Sequence, residues 1–161
     1  MPAMPASFKI AQVQVGRGLL GLCPLPGRNE NYAADLATLV KFGPALVLSL
    51  VEIHEYQRHN APTLIADLAS LGIAHISFPT RDFGTPCLAI WPPVSGHLHG
   101  LLANAQRIVI HCLGGCGRTG TIALRLMIEA GEDPKAALIR LRTERPCAVE
   151  TKAQLRWTTA I

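Results

Sequence analysis

Ten consecutive residues, His111-Cys112-Leu113-Gly114-Gly115-Cys116-Gly117-Arg118-Thr119-Gly120, set a thiol and an arginine-threonine pair at the two ends of a glycine-rich stretch. The β-branched run Ile108-Val109-Ile110 before them reads as a buried strand, and the Ala/Leu/Met/Ile/Glu-rich segment after them reads as a helix. Strand, turn and helix N-terminus together form an anion cradle. Glycines tolerate the backbone angles such a turn demands, and the opening N–H groups of the helix have no intrahelical partner. Leu113, Gly114, Gly115, Cys116 and Gly117 are therefore expected to wrap their amides around a tetrahedral oxyanion. Arg118 adds a planar, permanently charged fork matched to two phosphate oxygens.

The same donors act on Cys112. A thiolate there is stabilised by the loop dipoles, the helix N-terminus and Arg118, so its pKa is expected to fall from about 8.5 into the range of about 3.5–7.5. Thr119 is expected to donate its hydroxyl to that sulfur and help it leave when a covalent intermediate breaks down. No Lys-Ser/Thr follows the glycines, which excludes a Walker loop. Cys112 and Cys116 lack a second Cys/His pair in zinc spacing, so no metal and no cofactor is expected.

Thiolate attack on a phosphate monoester needs an acid for the leaving oxygen. Asp82 is the sole acidic residue between Gly72 and Ile128, and it sits among Pro79, Gly84 and Pro86 after the apolar run Ile73–Phe78. The nearby Trp91-Pro92-Pro93 carries no acid and reads as the opening turn of a helix.

These residues resemble the signature loop of the cysteine-dependent protein tyrosine/dual-specificity phosphatases, most nearly the branch that includes the cyclin-dependent-kinase-associated phosphatase. Leu25-Pro26-Gly27, Val47-Leu48-Ser49-Leu50 with Glu52 and Glu55, Asp82-Phe83-Gly84-Thr85-Pro86, and Arg145-Pro146 through Gln154 extend the resemblance over most of the chain. It implies that Cys112 is the nucleophile of a cysteinyl-phosphate mechanism and that Asp82 is a general acid on a mobile loop, later the base for hydrolysis. It also implies that Gln154 helps place the attacking water and that Glu150-Thr151 caps the last helix. His111 is expected to fix the loop by hydrogen bonds rather than to shuttle protons.

The elements that must position this chemistry follow from the hydrophobic pattern. Strands are expected over Phe8–Val15 at a sheet edge, Ala45–Leu50, Ile73–Phe78 and Arg107–His111. Helices are expected over Asn31–Phe42, Pro62–Leu71, Val94–Ala105, Thr119–Ala130, Pro134–Thr143 and Glu150–Trp157, with a Gly/Pro-rich loop over residues 16–29. Gly131 should stop one helix and Asp133 cap the next. The alternation predicts an α/β fold, a mostly parallel sheet with helices on both faces and the loop at a strand's carboxyl end.

The 161 residues are 49% hydrophobic and 16% charged, which fits one domain over residues 1–161. No apolar window is long enough for a bilayer, and Met1–Lys9 lacks the pattern of an export signal. Five cysteines, one of which must stay reduced to work, point to a reducing compartment, the cytoplasm. Cys116 could capture an oxidised Cys112, although a tight loop makes that awkward, while Cys23, Cys87 and Cys147 read as ordinary small residues. A formal charge of +4 favours acidic ligands, and without a dense Lys/Arg run the partner is a phosphorylated protein or small phosphate ester rather than nucleic acid or membrane. His97 and His99 face different ways on their helix and do not suggest a metal site. The loop interior lacks the lysines that phosphoinositide phosphatases resembling this family carry there. A catalytically silent phosphate-binding module, a phosphatase of small metabolites, and a sulfur-transferring or arsenate-reducing enzyme remain alternatives, and the oligomeric state is not legible.

Overall fold

A computed structural model describes residues 8–161. The expectation drawn from the first nine residues falls mostly on residues 1–7, outside the described ones. Five strands form one sheet in the order β1-β2-β5-β3-β4: β1 (Ala11–Val15), β2 (Gly18–Cys23), β3 (Leu46–Ser49), β4 (Ala74–Ser77) and β5 (Arg107–His111). Only β1 runs antiparallel, paired with β2 from Ala11 opposite Leu22 to Val15 opposite Gly18. β5 lies at the centre, parallel to β2 on one side and β3 on the other.

Side chains alternate across β5. Ile108 and Ile110 enter a core with α4 (Trp91–Ala103), α5 (Gly117–Glu129), α6 (Pro134–Glu144) and α7 (Lys152–Trp157), while Val109 joins α1 (Tyr32–Phe42), α2 (Ile53–Arg58) and α3 (Leu64–Ser70) on the other face. Both faces are thus covered, as the alternating pattern predicts. No described helix is long and apolar enough to cross a membrane.

The expected loop over residues 16–29 is wrong in its first half, because Gly18–Cys23 is β2, an interior strand of the sheet. Its glycines serve close packing rather than turning: a Cβ on Gly21 would lie 2.8 Å from atoms of both Ile10 and Phe42. Helix α2 was also not expected. It is six residues long and is held by a capping box in which Glu55 reaches back to the Glu52 amide at 2.7 Å. The remaining elements differ from expectation at their ends. The first strand begins at Ala11 and α3 is trimmed to Leu64–Ser70, whereas α4 opens at Trp91, with Pro92 and Pro93 in its first turn. Gly131, at φ +104°, ends α5, and the Asp133 carboxylate accepts from Ala136 N at 3.0 Å to cap α6.

Candidate active site

The central strand delivers His111 fully buried at its carboxyl end. Burial pushes its pKa down to about 4, so the ring is neutral at pH 7. Neutral tautomers then give one consistent chain: His75 Nε2–H donates to Ser49 Oγ at 2.8 Å, Ser49 donates to His111 Nε2, and His111 Nδ1–H donates to the carbonyl of Cys112 at 3.1 Å. The backbone of Cys112 is thereby tied to β3 and β4, as the reading of His111 anticipates. Cys112 itself is a free thiol and is 3% exposed.

From Cys112 the chain turns through Leu113–Cys116 into α5. Gly115 adopts φ +70°, and a Cβ there would fall 2.5 Å from the carbonyl carbon of Cys23, so no other residue fits. Among the described residues, the N–H groups of Leu113, Gly114, Gly115, Cys116 and Gly117 donate to no protein acceptor. Their carbonyls, by contrast, are engaged: Leu113 O accepts from Leu25 N at 3.1 Å, and Cys116 O accepts from Gly120 N and Val149 N.

Arg118 projects from the first turn of α5, where it is 1% exposed. Glu55 takes it in a bidentate pair, with bonds of 2.9 Å from Nη1 and 2.8 Å from Nη2, and Nη1 also donates to Thr80 O at 3.0 Å. Burial by itself would raise the Glu55 pKa, but the hydrogen bonds from Arg118 and the Glu52 amide outweigh it and hold the carboxyl below its usual value. The Arg118 pKa rises in return, since its bond to Glu55 and the nearby Cys112 overcome the effect of burial. Arg118 Nε is buried without a partner. Two guanidinium nitrogens are thus spent on fixing the group, leaving its third for a ligand.

Asp82 reaches the same point from the loop between β4 and α4. Its half-exposed carboxylate lies 3.3 Å from Arg118 Nη2 and accepts from Phe83 N at 3.0 Å. Thr119 Oγ1 is buried with no partner, so the expected hydroxyl-to-sulfur bond is not made. Gln154, which the resemblance assigns to placing water, is fully buried and committed to structure. Its Oε1 accepts from Glu150 N at 2.9 Å and Thr151 N at 3.1 Å, and its Nε2 donates to Gly84 O at 3.1 Å. Thr151 completes the capping box of α7, as expected.

The reading of Cys116 and Cys147 needs correction. Cys116 is bonded to Cys147, which is therefore not an ordinary small residue, and Cys116 is not free to capture Cys112. With five cysteines and no local cue, the connectivity cannot be deduced from sequence. Two further contributors were missed in role. Glu55 binds Arg118 across 63 positions, a separation that leaves no local signal beyond the acid pair Glu52/Glu55. Arg145 donates to Gly115 O and Gly114 O, both at 2.9 Å. Glu52, His54 and Glu55 alone among the described residues bring three metal-type ligand atoms together, and Glu55 in that group is already occupied by Arg118.

Comparison with known proteins agrees with this geometry. Residues 23–132 match a family described as polymorphic toxin system, DSP-PTPase phosphatase. Cyclin-dependent kinase inhibitor 3 of Homo sapiens is 29% identical over 130 residues, covering 76% of this chain and 61% of that protein. The Mus musculus protein of the same name is 30% identical over 132 residues, covering 78% and 63%. The chain thus spans a little over three fifths of the length of these relatives. The crystal structure of kinase associated phosphatase, with serine replacing its catalytic-site cysteine, superposes with a TM-score of 0.85 at 25% identity over 96% of this chain and 93% of that one. Tk-PTP in its active form gives 0.71 at 25% identity over 86% and 87%. A five-stranded sheet with a thiol-bearing, glycine-rich loop at the end of its central strand and a family match over more than half of the residues lead to one assignment: this chain belongs to the DSP-PTPase phosphatase family of polymorphic toxin systems.

Proposed function

We propose that the protein hydrolyses phosphate monoesters without a metal, through a cysteinyl-phosphate intermediate on Cys112, and that its substrates are phosphorylated proteins. One observation carries this reading. A free buried thiol, five loop amides with no protein acceptor and an arginine whose Nε has no partner belong to one short segment at the end of the central strand.

Phosphate oxygens would take the amides of Leu113–Gly117 and the Nε–H of Arg118, putting phosphorus in front of the Cys112 sulfur. As the S–P bond forms and the P–O bond to the leaving group breaks, Asp82 delivers a proton to that oxygen. Water then attacks the phosphocysteine, Asp82 takes its proton, and the thiolate leaves as inorganic phosphate forms. Arg118, locked by Glu55, meets the developing charge without first having to be ordered. Thr119 Oγ1, buried and unpartnered, would have to turn toward the departing sulfur in order to donate to it. Gln154 acts by holding Gly84 beside Asp82, not by aiming water.

Relatives named for cyclin-dependent kinases, and a family tied to toxin systems, favour a protein substrate bearing phosphotyrosine or phosphoserine/threonine over a small phosphate ester. A nucleophile that must remain a free thiol suits a reducing compartment such as the cytoplasm, whereas the Cys116–Cys147 bond suits an oxidising one, so the two features pull in opposite directions. Turnover of p-nitrophenyl phosphate, followed by a panel of tyrosine-, serine- and threonine-phosphorylated peptides and sugar and inositol phosphates, tests the reading. Release of phosphate that is lost in Cys112→Ser is expected, and equal rates for the two proteins would overturn it. A protein that binds inorganic phosphate without turning over any ester would instead be a silent binding module.

A further inference from the structure

We infer that Arg145 is the residue that orients the phosphate loop for anion binding, with the Cys116–Cys147 bond as a second fastening of the same segment; the inference rests on the phosphate-binding reading above. Every described peptide bond is trans, and in a trans peptide the carbonyl of one residue and the N–H of the next point in opposite directions. A donor that holds a loop carbonyl therefore aims the following N–H away from itself. Arg145 Nη2 holds Gly114 O and so directs Gly115 N–H, while Arg145 Nε holds Gly115 O and directs Cys116 N–H. Leu25 N does the same for Gly114 N–H through Leu113 O, and Val149 N for Gly117 N–H through Cys116 O.

Four successive peptide planes are thus set from outside, and the two central ones depend on a single guanidinium. Its charge also pulls electron density toward those carbonyl oxygens, which makes the paired N–H groups better donors to an anion. Arg145 lies 27 residues after Arg118 in sequence, in the connection between α6 and α7. The same connection supplies Cys147, which is exposed and joined to Cys116 with a Cα–Cα distance of 5.1 Å. The two fastenings differ in physics. The disulfide closes a loop of 31 residues and acts mainly on the unfolded chain, whereas Arg145 acts on which way folded amides point.

Arg145→Met, Arg145→Lys and Cys147→Ser separate these effects in the full chain, read by calorimetric titration with inorganic phosphate, by KM and kcat on p-nitrophenyl phosphate, and by thermal melting. Arg145→Met should weaken phosphate and raise KM together by about tenfold, with a smaller change in kcat, as expected for loss of two charge-assisted hydrogen bonds. Arg145→Lys, which keeps the charge and can reach one carbonyl, should recover part of that affinity. Cys147→Ser should instead lower Tm by on the order of 10 °C with a smaller effect on phosphate affinity. Dithiothreitol should reproduce this in the wild type, passing two electrons and two protons to the bond to give two thiols as it closes to its cyclic disulfide. Unchanged phosphate affinity in a folded Arg145→Met protein overturns the inference and leaves the phosphatase reading standing. Wild type that binds phosphate but never turns over, with Arg145→Met still weakened, does the reverse. Should Arg145→Met fail to fold, unchanged affinity in Arg145→Lys overturns the inference.

Discussion

The phosphate loop and the acid loop meet at Arg118, yet they are built on opposite principles. Cys112 to Arg118 is gripped from every side: by His111 beneath, by Leu25, Arg145 and Val149 through its carbonyls, by Glu55 through Arg118, and by a covalent bond at Cys116. Residues 81–85 leave Arg81, Asp82, Phe83 and Thr85 exposed and are tied down only by Gly84, through its own turn and through Gln154, and by the half-exposed ion pair of Asp82 with Arg118. The group that must receive charge in a fixed geometry is preorganised, which spares reorganisation during the reaction. On the proposed mechanism, the group that must meet leaving groups of different shape sits on the exposed and less fastened segment.

If that division is right, damage to the first region should stop the chemistry and damage to the second should tune it. Cys112→Ser should reduce kcat on the order of 10⁴-fold or more while tungstate or phosphate still binds, checked by turnover assay and calorimetry. Retained turnover would place the nucleophile elsewhere. Asp82→Asn should be milder and selective. A loss of about 10²–10³ is expected for phenyl phosphate, whose leaving group needs a proton, and little loss for p-nitrophenyl phosphate. A uniform loss across leaving groups would make Asp82 a binding residue instead.

Beneath the phosphate loop, His111 offers a test by pH. Its folded pKa is about 4, held down by burial, against an unfolded value near 6.5. As pH falls through about 6.5 the unfolded chain takes up a proton at this ring that the folded protein refuses until about pH 4, so stability declines across that window. The full effect is roughly 3 kcal/mol, and above the window it vanishes. Burial lowers the His75 pKa too and adds a change of the same sign, whereas Glu55, with its lowered carboxyl pKa, contributes only at more acid pH. Denaturant melts of wild type and His111→Asn between pH 7.5 and about 4.5 should therefore show a flatter dependence in the variant. Equal slopes would mean that the ring is not held neutral.

The same contrast explains what could be read from the chain alone. Cys112, Arg118 and the strand and helix around them are local, so their residue types and spacing carry the information. Asp82 could be singled out because no other acid lies within reach along the sequence. Glu55, Arg145 and Cys147 act at separations of 63, 30 and 31 positions, and no periodicity reports a partner so distant. Strand β2 was hidden for a different reason. Glycines normally mark turns, and only the packing of Ile10 and Phe42 against Gly21 shows that here one makes room inside a sheet. Gln154 shows the same limit: it stands in the first turn of α7, where the capping box and the distant Gly84 draw it fully inside.

Gln154 is also where the two regions are joined, and it provides the finest test of the comparison. Its oxygen caps α7 through the Glu150 and Thr151 amides, its nitrogen holds Gly84, and that nitrogen would stand 3.1 Å from a Cβ on Gly117 at the start of α5. Gln154→Ala removes the cap and frees the acid loop while leaving Cys112, Arg118 and the loop carbonyls untouched. The lost cap should cost about 1 kcal/mol of stability, visible as a small fall in Tm. Freed Gly84 should lower kcat a few-fold, about what a displaced acid costs when the nucleophile stays in place, and more for phenyl than for p-nitrophenyl phosphate. Phosphate affinity should not move, because none of its donors is held by Gln154. If affinity for phosphate falls instead and the leaving-group dependence stays flat, Gln154 belongs with the gripped region, and the boundary between rigid cradle and mobile acid lies further out along residues 81–85.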